Sequence, residues 1–201
     1  QSGFVFVLRR SAPMQHLKIR KIFTVVTSLS LLFAPVSSFA AVGDAPVHVG
    51  FTSSIKKDVQ GQLGDQNKRR LVKADQVFFN ENVITSKDSV VVLQFRDGST
   101  FELGPDGLIT LDELVFNPFE GKNTKVVSLI QGSFRYISGF AAKEAQFTLN
   151  TPVGTLGIRG SAGSGFYYPG KPAFMNVAKG DATFTNDSGS TSFSDGGSIA
   201  S

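Results

Sequence analysis

The sequence predicts an all-β protein, and three observations support this class. Short alternating or wholly apolar runs recur after residue 41, as in VVVLQF, STFEL, LITLDEL, KVVSLI, SFRYI, QFTLN and ATFTN. Helical periodicity is nearly absent from the same region. Signals rich in Gly, Pro, Asp and Asn separate the runs, at spacings that leave strands of about five to eight residues.

An export signal is predicted at residues 14–40. A positively charged segment follows Met14, and a predominantly apolar region of 13 residues runs from Ile22 to Ala34. This run is shorter than the roughly 20 helical residues that a bilayer core requires. Small residues then mark a signal-peptidase site, which we place between Ala40 and Ala41. An N-terminal membrane anchor or a buried core helix is the alternative interpretation.

The rest of the chain is divided into three parts by composition. Residues 1–13 precede Met14 and are interpreted as sequence upstream of a mis-called start, without function. Residues 41–185 are expected to form the β domain. Residues 186–201 are rich in Gly, Ser and Thr, and we expect them to be a flexible tail.

Charge and cysteine content exclude several classes of protein. Five of the 20 Lys and Arg residues, but none of the 16 Asp and Glu residues, lie before residue 41, which leaves 15 basic against 16 acidic residues, or −1. A nucleic-acid partner is therefore not expected, nor is a membrane span once the signal is removed. The chain has no Cys, so its stability must come from packing.

The clearest structural unit is the segment VVVLQFRDGSTFELG, which predicts a β-hairpin. Alternate apolar residues share one face of both strands: Val91, Leu93, Phe95, Phe101 and Leu103. Asp97-Gly98 between them predicts a type I′ turn, in which both residues have positive φ.

Two segments are alike and predict a repeated strand-turn-strand unit. SLIQGSFRYI and NVAKGDATFT each place a Gly between two alternating runs. Such a repeat favours a coiled, solenoid-like sheet of short strands, and a β-sandwich is the alternative. Residues 143–146 and 74–79 are the two places where a short helix is compatible with the pattern.

Five segments, in this order, resemble the FecR domain family, the periplasmic module of iron-citrate-type transport regulators. The likeness runs from about Val47 to Phe184 and is carried by PVHVGF, Asn82–Ser86, Leu93–Leu103, Val127–Arg135 and Phe147–Gly160, followed by Met175–Phe184. Ser161 stands where the family commonly has Thr. Members that regulate transcription combine a sigma-factor-binding segment and a transmembrane helix with this domain. Here a cleavable signal is predicted in their place, so the resemblance implies a stand-alone secreted form.

The resemblance implies a structural role for the family-motif residues, which are Asp97, Gly98, Gly132, Thr151, Pro152, Gly157, Arg159 and Gly160. The stretch NTPVGTLGIRGS has neither the dinucleotide nor the P-loop spacing of glycines. Pro152 donates no ladder hydrogen bond and ends a strand. The glycines then allow tight bends or close backbone approach, and Arg159 donates to nearby carbonyls or a carboxylate. A ligand or partner site is the alternative.

No catalytic, metal or cofactor site is predicted. After the signal, His48 is the only His, and we expect it on the first strand or exposed to solvent. No G-x-S-x-G elbow, thiol or EF-hand spacing is present. Asp112 and Glu113 are adjacent, so on a strand they face opposite sides.

Candidate partner contacts lie in two aromatic segments that are predicted to be loops: Phe116, Phe119, Tyr167 and Tyr168. Aromatic residues beside Pro in loops are typical of contact surfaces, although covering a sheet end is the alternative. The sequence therefore predicts a non-catalytic periplasmic, secreted or cell-surface protein of a Gram-negative bacterium. It acts by contact with a protein partner, as a signalling or regulatory accessory. The alternative is a structural or adhesive module that binds envelope polymer or associates through sheet edges.

Overall fold

The computed structural model describes residues 45–117, 122–140 and 146–200, with the backbone alone described at 113–117, 122–123 and 161. These residues belong to the unit Val42–Ser201. They form fourteen strands linked in one hydrogen-bonded sheet and contain no helix, which confirms the all-β prediction.

The strands follow one another with short connections. The first seven are β1 (His48–Lys56), β2 (Val59–Leu63), β3 (Arg69–Arg70), β4 (Gln76–Phe78), β5 (Glu81–Thr85), β6 (Val90–Phe95) and β7 (Thr100–Leu103). The other seven are β8 (Leu108–Asn117), β9 (Lys122–Ile137), β10 (Gln146–Thr151), β11 (Gly154–Tyr167), β12 (Phe174–Asn186), β13 (Gly189–Ser194) and β14 (Ser198–Ala200).

The sheet is almost wholly antiparallel. Its main path runs β13-β12-β11-β10-β9-β7-β6-β1-β4, with β14 beside β12 and with β2, β3, β5 and β8 attached through β9. Among the described pairings, β9 and β10 alone run parallel. Strand β11 pairs with β10 along its first half and with β9 along its second. The coiled arrangement, favoured by the sequence over a sandwich, stays a prediction.

The predicted hairpin is formed by β6 and β7, but its turn differs from the prediction. Leu93 lies opposite Phe101, and the alternating apolar residues of both strands are buried as expected. In the turn, Gly98 alone has positive φ, at 78°, and its N–H donates to the Phe95 carbonyl. This is a three-residue loop with glycine in the left-handed region rather than a type I′ turn. Asp97 lies within this turn, and its side chain is buried.

The repeated segments are not strand-turn-strand units. Gly132 and Gly180 lie inside the single long strands β9 and β12, with φ of 121° and 108°. At each glycine the buried side of the strand changes: in β9 from Val127 and Leu129 to Phe134. One added residue shifts the alternation by one, as in a β-bulge. A long strand thereby presents apolar side chains to the core on both sides of its glycine.

The core is a continuous apolar cluster with aromatic rings at its centre. Tyr136 stacks on Phe147 with ring centroids 4.0 Å apart, and Phe101 stacks on Phe134 at 5.9 Å. Phe101 and Phe147 are 5.9 Å apart and join the two pairs. These rings come from β7, β9 and β10, so one aromatic group ties three strands together.

The residues after Asn186, predicted to be a flexible tail, pair with β12 as strands β13 and β14. Their partly buried Phe193 and Ile199 pack on the core, which is why a polar segment is held in the sheet. Residues 74–79 form a turn and then β4 instead of a helix. Of the other suggested helical turn, Gln146 belongs to β10, and residues 143–145 lie outside the described residues.

Candidate protein-contact surface

The second predicted aromatic loop is in fact the end of β11. Tyr167 is 9% exposed and belongs to the core, so it is not available to a partner as predicted. Tyr168 is half-buried, and its hydroxyl donates to the Pro105 carbonyl at 3.2 Å. The Nζ atom of Lys171 lies 5.7 Å from the centre of the Tyr168 ring.

The first predicted aromatic loop cannot be placed in the same way. Phe119 and the side chain of Phe116 lie outside the described residues, although the backbone of Phe116 belongs to β8. Both residues stay predictions as partner contacts.

An exposed aromatic patch lies beside Tyr167, on the opposite side of the strand. Phe166 of β11 and Phe174 of β12 are cross-strand partners, stacked with centroids 5.9 Å apart. They are 39% and 37% exposed, and the Tyr168 ring lies 6.5 Å from that of Phe166. We call Phe166, Tyr168 and Phe174 the aromatic patch. Side chains alternate along a strand, so an interpretation of FYY as a strand would have placed Phe166 and Tyr168 on one face. The sequence was instead interpreted as a loop.

The motif Thr151–Gly154 is the two-residue turn between β10 and β11. β10 ends at Thr151, as predicted for a residue before Pro152. The Thr151 hydroxyl donates to the Gly154 carbonyl at 2.7 Å. A Cβ atom on Gly154 would lie 2.6 Å from Phe184 and from the Thr185 carbonyl, so the glycine allows a close approach.

The two glycines that follow differ in what the fold requires of them. Gly160 lies opposite Gly180 in the ladder, and a Cβ atom on Gly160 would come within 2.6 Å of the Gly180 Cα. Gly157 has no such neighbour: its nearest contact would be the Thr183 carbonyl at 3.8 Å. The prediction of close approach therefore fits Gly160 and is wrong for Gly157.

Arg159 does not hold the backbone as predicted. Its side chain is exposed on β11, directly across from Asp181 of β12. No hydrogen bond or ion pair joins its side chain to another described residue, and it lines a small concavity together with Asp181.

A buried ion pair is the strongest electrostatic feature of the described residues. Lys125 Nζ on β9 lies 2.7 Å from Asp97 Oδ2, with side-chain exposures of 3% and 1%. The other carboxylate oxygen, Oδ1, accepts hydrogen bonds from the Ser99 N–H at 3.1 Å and the Ser99 hydroxyl at 2.6 Å. The family-motif residue Asp97 thus balances a cation inside the sheet.

Burial shifts the proton affinities of the groups around Asp97. The pKa of Lys125 is lowered by desolvation, while its hydrogen bond and attraction to Asp97 oppose that shift. The pKa of Tyr136 is raised, first by burial and then by the negative charge of Asp97, with a smaller opposing effect of Ser99. Among the described residues, the Tyr136 hydroxyl has no partner in hydrogen-bonding geometry. These groups are closed to solvent, so the cluster stabilises the fold and offers no surface to a substrate.

A second ion pair joins β3 to β5. The Glu81 carboxylate is fully buried, and its Oε1 lies 2.8 Å from Arg69 Nη2. Its Oε2 accepts the Phe78 N–H at 2.9 Å. Local sequence patterns do not indicate this pair, because Arg69 and Glu81 are 12 positions apart.

Residues that could hold a metal ion do not come together in the part of the chain that the structure describes, where no group of three or more His, Cys, Asp or Glu is found. His48 begins β1, as expected, and is half-buried. No helix among the described residues is long and apolar enough to cross a membrane.

Comparison with known proteins gives a family match. The FecR protein family matches residues 81–191 of this chain, which is more than half of its length. No curated protein matches the sequence.

Comparison with solved structures gives more distant similarities. Two crystal structures of a proposed anti-sigma factor from Parabacteroides distasonis ATCC 8503 each align with 60% of this chain and 58% of their own, at 9% identity and a TM-score of 0.46. The chain therefore spans little more than half the length of that relative. A cell surface anchoring domain aligns with 30% of this chain and 80% of its own, at 30% identity and a TM-score of 0.29.

Proposed function

Because the chain belongs to the FecR protein family, we propose that it is an exported, non-catalytic module that acts by contact with another protein in the cell envelope. Its role is that of a signalling or regulatory accessory, in the periplasm or at the surface of a Gram-negative bacterium. Residues 14–40 serve as the export signal and are cleaved between Ala40 and Ala41. The domain that follows includes β13 and β14.

The observation that carries this proposal is the exposed aromatic patch. Phe166 and Phe174 are held by paired strands and by their mutual stacking, so a partner that covers them orders little additional structure. Each Å² of apolar surface that is covered contributes about 25 cal/mol. Rigid aromatic side chains are frequent centres of binding energy in protein interfaces. Lys171, beside the Tyr168 ring, supplies a positive charge for polar contacts.

The test is affinity capture from an envelope extract, with mass spectrometry of the retained proteins. It compares substitutions at two Phe residues that are similarly exposed to solvent. Phe174→Ser changes the aromatic patch, and Phe51→Ser changes a residue of β1 that is 38% exposed. We expect wild type and Phe51→Ser to retain the same envelope protein and Phe174→Ser to lose it.

Thermal unfolding of each variant separates binding from folding. If Phe174→Ser unfolds, Phe174→Leu keeps the apolar volume and removes the stacking, and it should weaken retention with a normal melting transition. Equal retention by wild type and every folded patch variant would disprove the proposal.

A structural role through sheet edges is the second candidate, and the free edge of β13 favours it. Within the described residues β13 pairs with β12 alone. Its sequence, GSTSFS, carries no charge or Pro to discourage pairing with another chain. Sedimentation at increasing protein concentration tests this role: self-association that Ser192→Lys abolishes supports it, and a monomer at all concentrations argues against it.

A further inference from the structure

A polar face lies on the outer side of strands β10 to β13. On β11, Leu156 and Ile158 are buried, so the residues between and beside them face outward. Neighbours in register across β11 and β12 on this face are Thr155 with Thr185, Gly157 with Thr183, and Arg159 with Asp181. The hydroxyls of Thr183 and Ser192 continue the face onto β13, 3.0 Å apart.

Two concavities open on or beside the polar face. The first, of about 200 Å³, is lined by residues that include Gln146, Gly157, Arg159 and Asp181. The second, of about 510 Å³, lies between the β10–β11 and β12–β13 turns and includes Pro152, Val153, Asn186 and Asp187. The second concavity lies at the turns that end the polar face, beyond the outward-facing pair Thr155 and Thr185. Gly157, which lines the first, is two residues from Thr155, or roughly 7 Å along the strand. A linear ligand that follows the polar face over Thr155 would extend from one concavity towards the other.

Gly157 is not explained by the fold. Its φ lies outside the positive region, and a Cβ atom would meet nothing closer than 3.8 Å. Glycine inside a strand destabilises it relative to Ala, because glycine loses more backbone freedom on folding. Because Gly157 has no side chain, the floor of the first concavity is open. The role of this glycine is therefore at the surface rather than in the core.

The charges at these concavities select the chemistry of a ligand. Arg159 and Asp181 lie side by side, and neither is paired with another described residue. They offer donors and acceptors together, which vicinal hydroxyl groups match. Asp187 adds a second carboxylate, so a polyanion would be repelled.

The strand pairing disfavours a peptide ligand. An extended peptide binds by adding its backbone to a free strand edge. β10, β11 and β12 are each paired on both sides, so their backbone groups are already used, and the free edge of β13 lines neither concavity. The polar face offers side chains, as a saccharide requires.

We propose that the two concavities are adjacent subsites for a neutral, linear oligosaccharide, with Arg159 and Asp181 bonding the hydroxyls of one sugar over Gly157. Pro152 and Val153 give the second subsite an apolar edge for the C–H face of another sugar. The site shares no residue with the aromatic patch and does not depend on the function proposed above.

Calorimetric titration of the full chain with two neutral hexasaccharides, cellohexaose and chitohexaose, tests the site, with an oligogalacturonate of equal length as the anionic control. We expect at least one neutral probe to bind with a dissociation constant of about 1 mM or tighter. Gly157→Thr fills the floor and should weaken binding at least about tenfold, as should Asp181→Asn. Ser54→Thr enlarges an exposed side chain on β1 that lines neither concavity, and it should leave binding unchanged.

Three results would overturn this site. They are no binding of either neutral probe, tighter binding of the anionic control, or wild-type affinity in both Gly157→Thr and Asp181→Asn. Circular dichroism of each variant confirms folding, and Arg159→Gln replaces any variant that fails to fold.

Discussion

Lys125 Nζ and Asp97 Oδ2 form a 2.7 Å ion pair inside the sheet, joining the β6–β7 turn to the first half of β9. Two buried charges lose their hydration on folding, and their attraction offsets this loss only while both are present. The Ser99 N–H and hydroxyl satisfy the second carboxylate oxygen. The turn sequence Asp-Gly-Ser is therefore part of the core as well as of the hairpin.

Removal of Lys125 alone should strongly destabilise the protein. In Lys125→Met the Asp97 carboxylate stays buried and loses its ion pair with Lys125, and we expect the free energy of unfolding to fall by about 3–5 kcal/mol. The double variant Lys125→Met with Asp97→Asn should lose clearly less than the sum of the single changes. Urea unfolding measures all three variants, and a loss below about 1 kcal/mol in Lys125→Met would contradict the pairing.

Tyr136 should make the fold sensitive to alkali. Its pKa is raised above the usual 10.0 by burial and by Asp97, so the folded protein keeps the phenolic proton where the unfolded chain loses it. Stability from this group is complete below pH 10 and declines above it, by up to about 1.4 kcal/mol per pH unit.

Tyr136→Phe should flatten this decline when urea unfolding is repeated from pH 9 to 11.5. The lowered pKa of Lys125 has the opposite effect: below its usual pKa of 10.5 it makes the free energy of unfolding rise with pH. Both proteins contain Lys125, so comparing them at each pH removes this effect. Equal slopes above pH 10 would show that Tyr136 does not keep its proton in the fold.

The strands were predictable because their signals are local, whereas the contacts between strands were not. The burial of Leu93 and of Phe101 follows from the alternation of side chains along a strand, which the sequence of each strand shows by itself. Asp97 looks like a turn residue from its neighbours, and its partner Lys125 is 28 positions away. Gly132 and Gly180 look like turns, since a bulge and a turn share the same residue preference.

The candidate contact surface was found only in part for the same reason. Tyr167 and Phe166 are adjacent in sequence, and which of them faces the core depends on strand register. In that register Phe166 lies opposite Phe174, a contact across two strands that no local pattern encodes.

Arg69 should stabilise the fold although its side chain is 39% exposed. It supplies the positive charge beside the fully buried Glu81, and it also donates to the Gln76 carbonyl at 2.6 Å. Arg69→Met should lower the free energy of unfolding by about 2–3 kcal/mol, because a buried carboxylate loses its cation. Arg70→Met, next to it and exposed, is the matched control and should change stability by less than about 0.5 kcal/mol. If Arg69→Met and Arg70→Met destabilise the protein equally in urea unfolding, the charge of the buried Glu81 is not the reason for the loss.

Glycine substitutions on β11 should separate the residues that the fold needs from the one that it does not. Gly160→Ala places a Cβ atom 2.6 Å from the Lys179 carbonyl and from the Gly180 Cα, and we expect a loss of about 1–3 kcal/mol. Gly157→Ala meets no such contact, so removing chain freedom from the unfolded state should raise stability by about 0.5 kcal/mol. Thermal and urea unfolding of the two variants measure the difference. A destabilised Gly157→Ala would mean that this glycine serves the fold, and the open floor beside Arg159 would then be a by-product of packing.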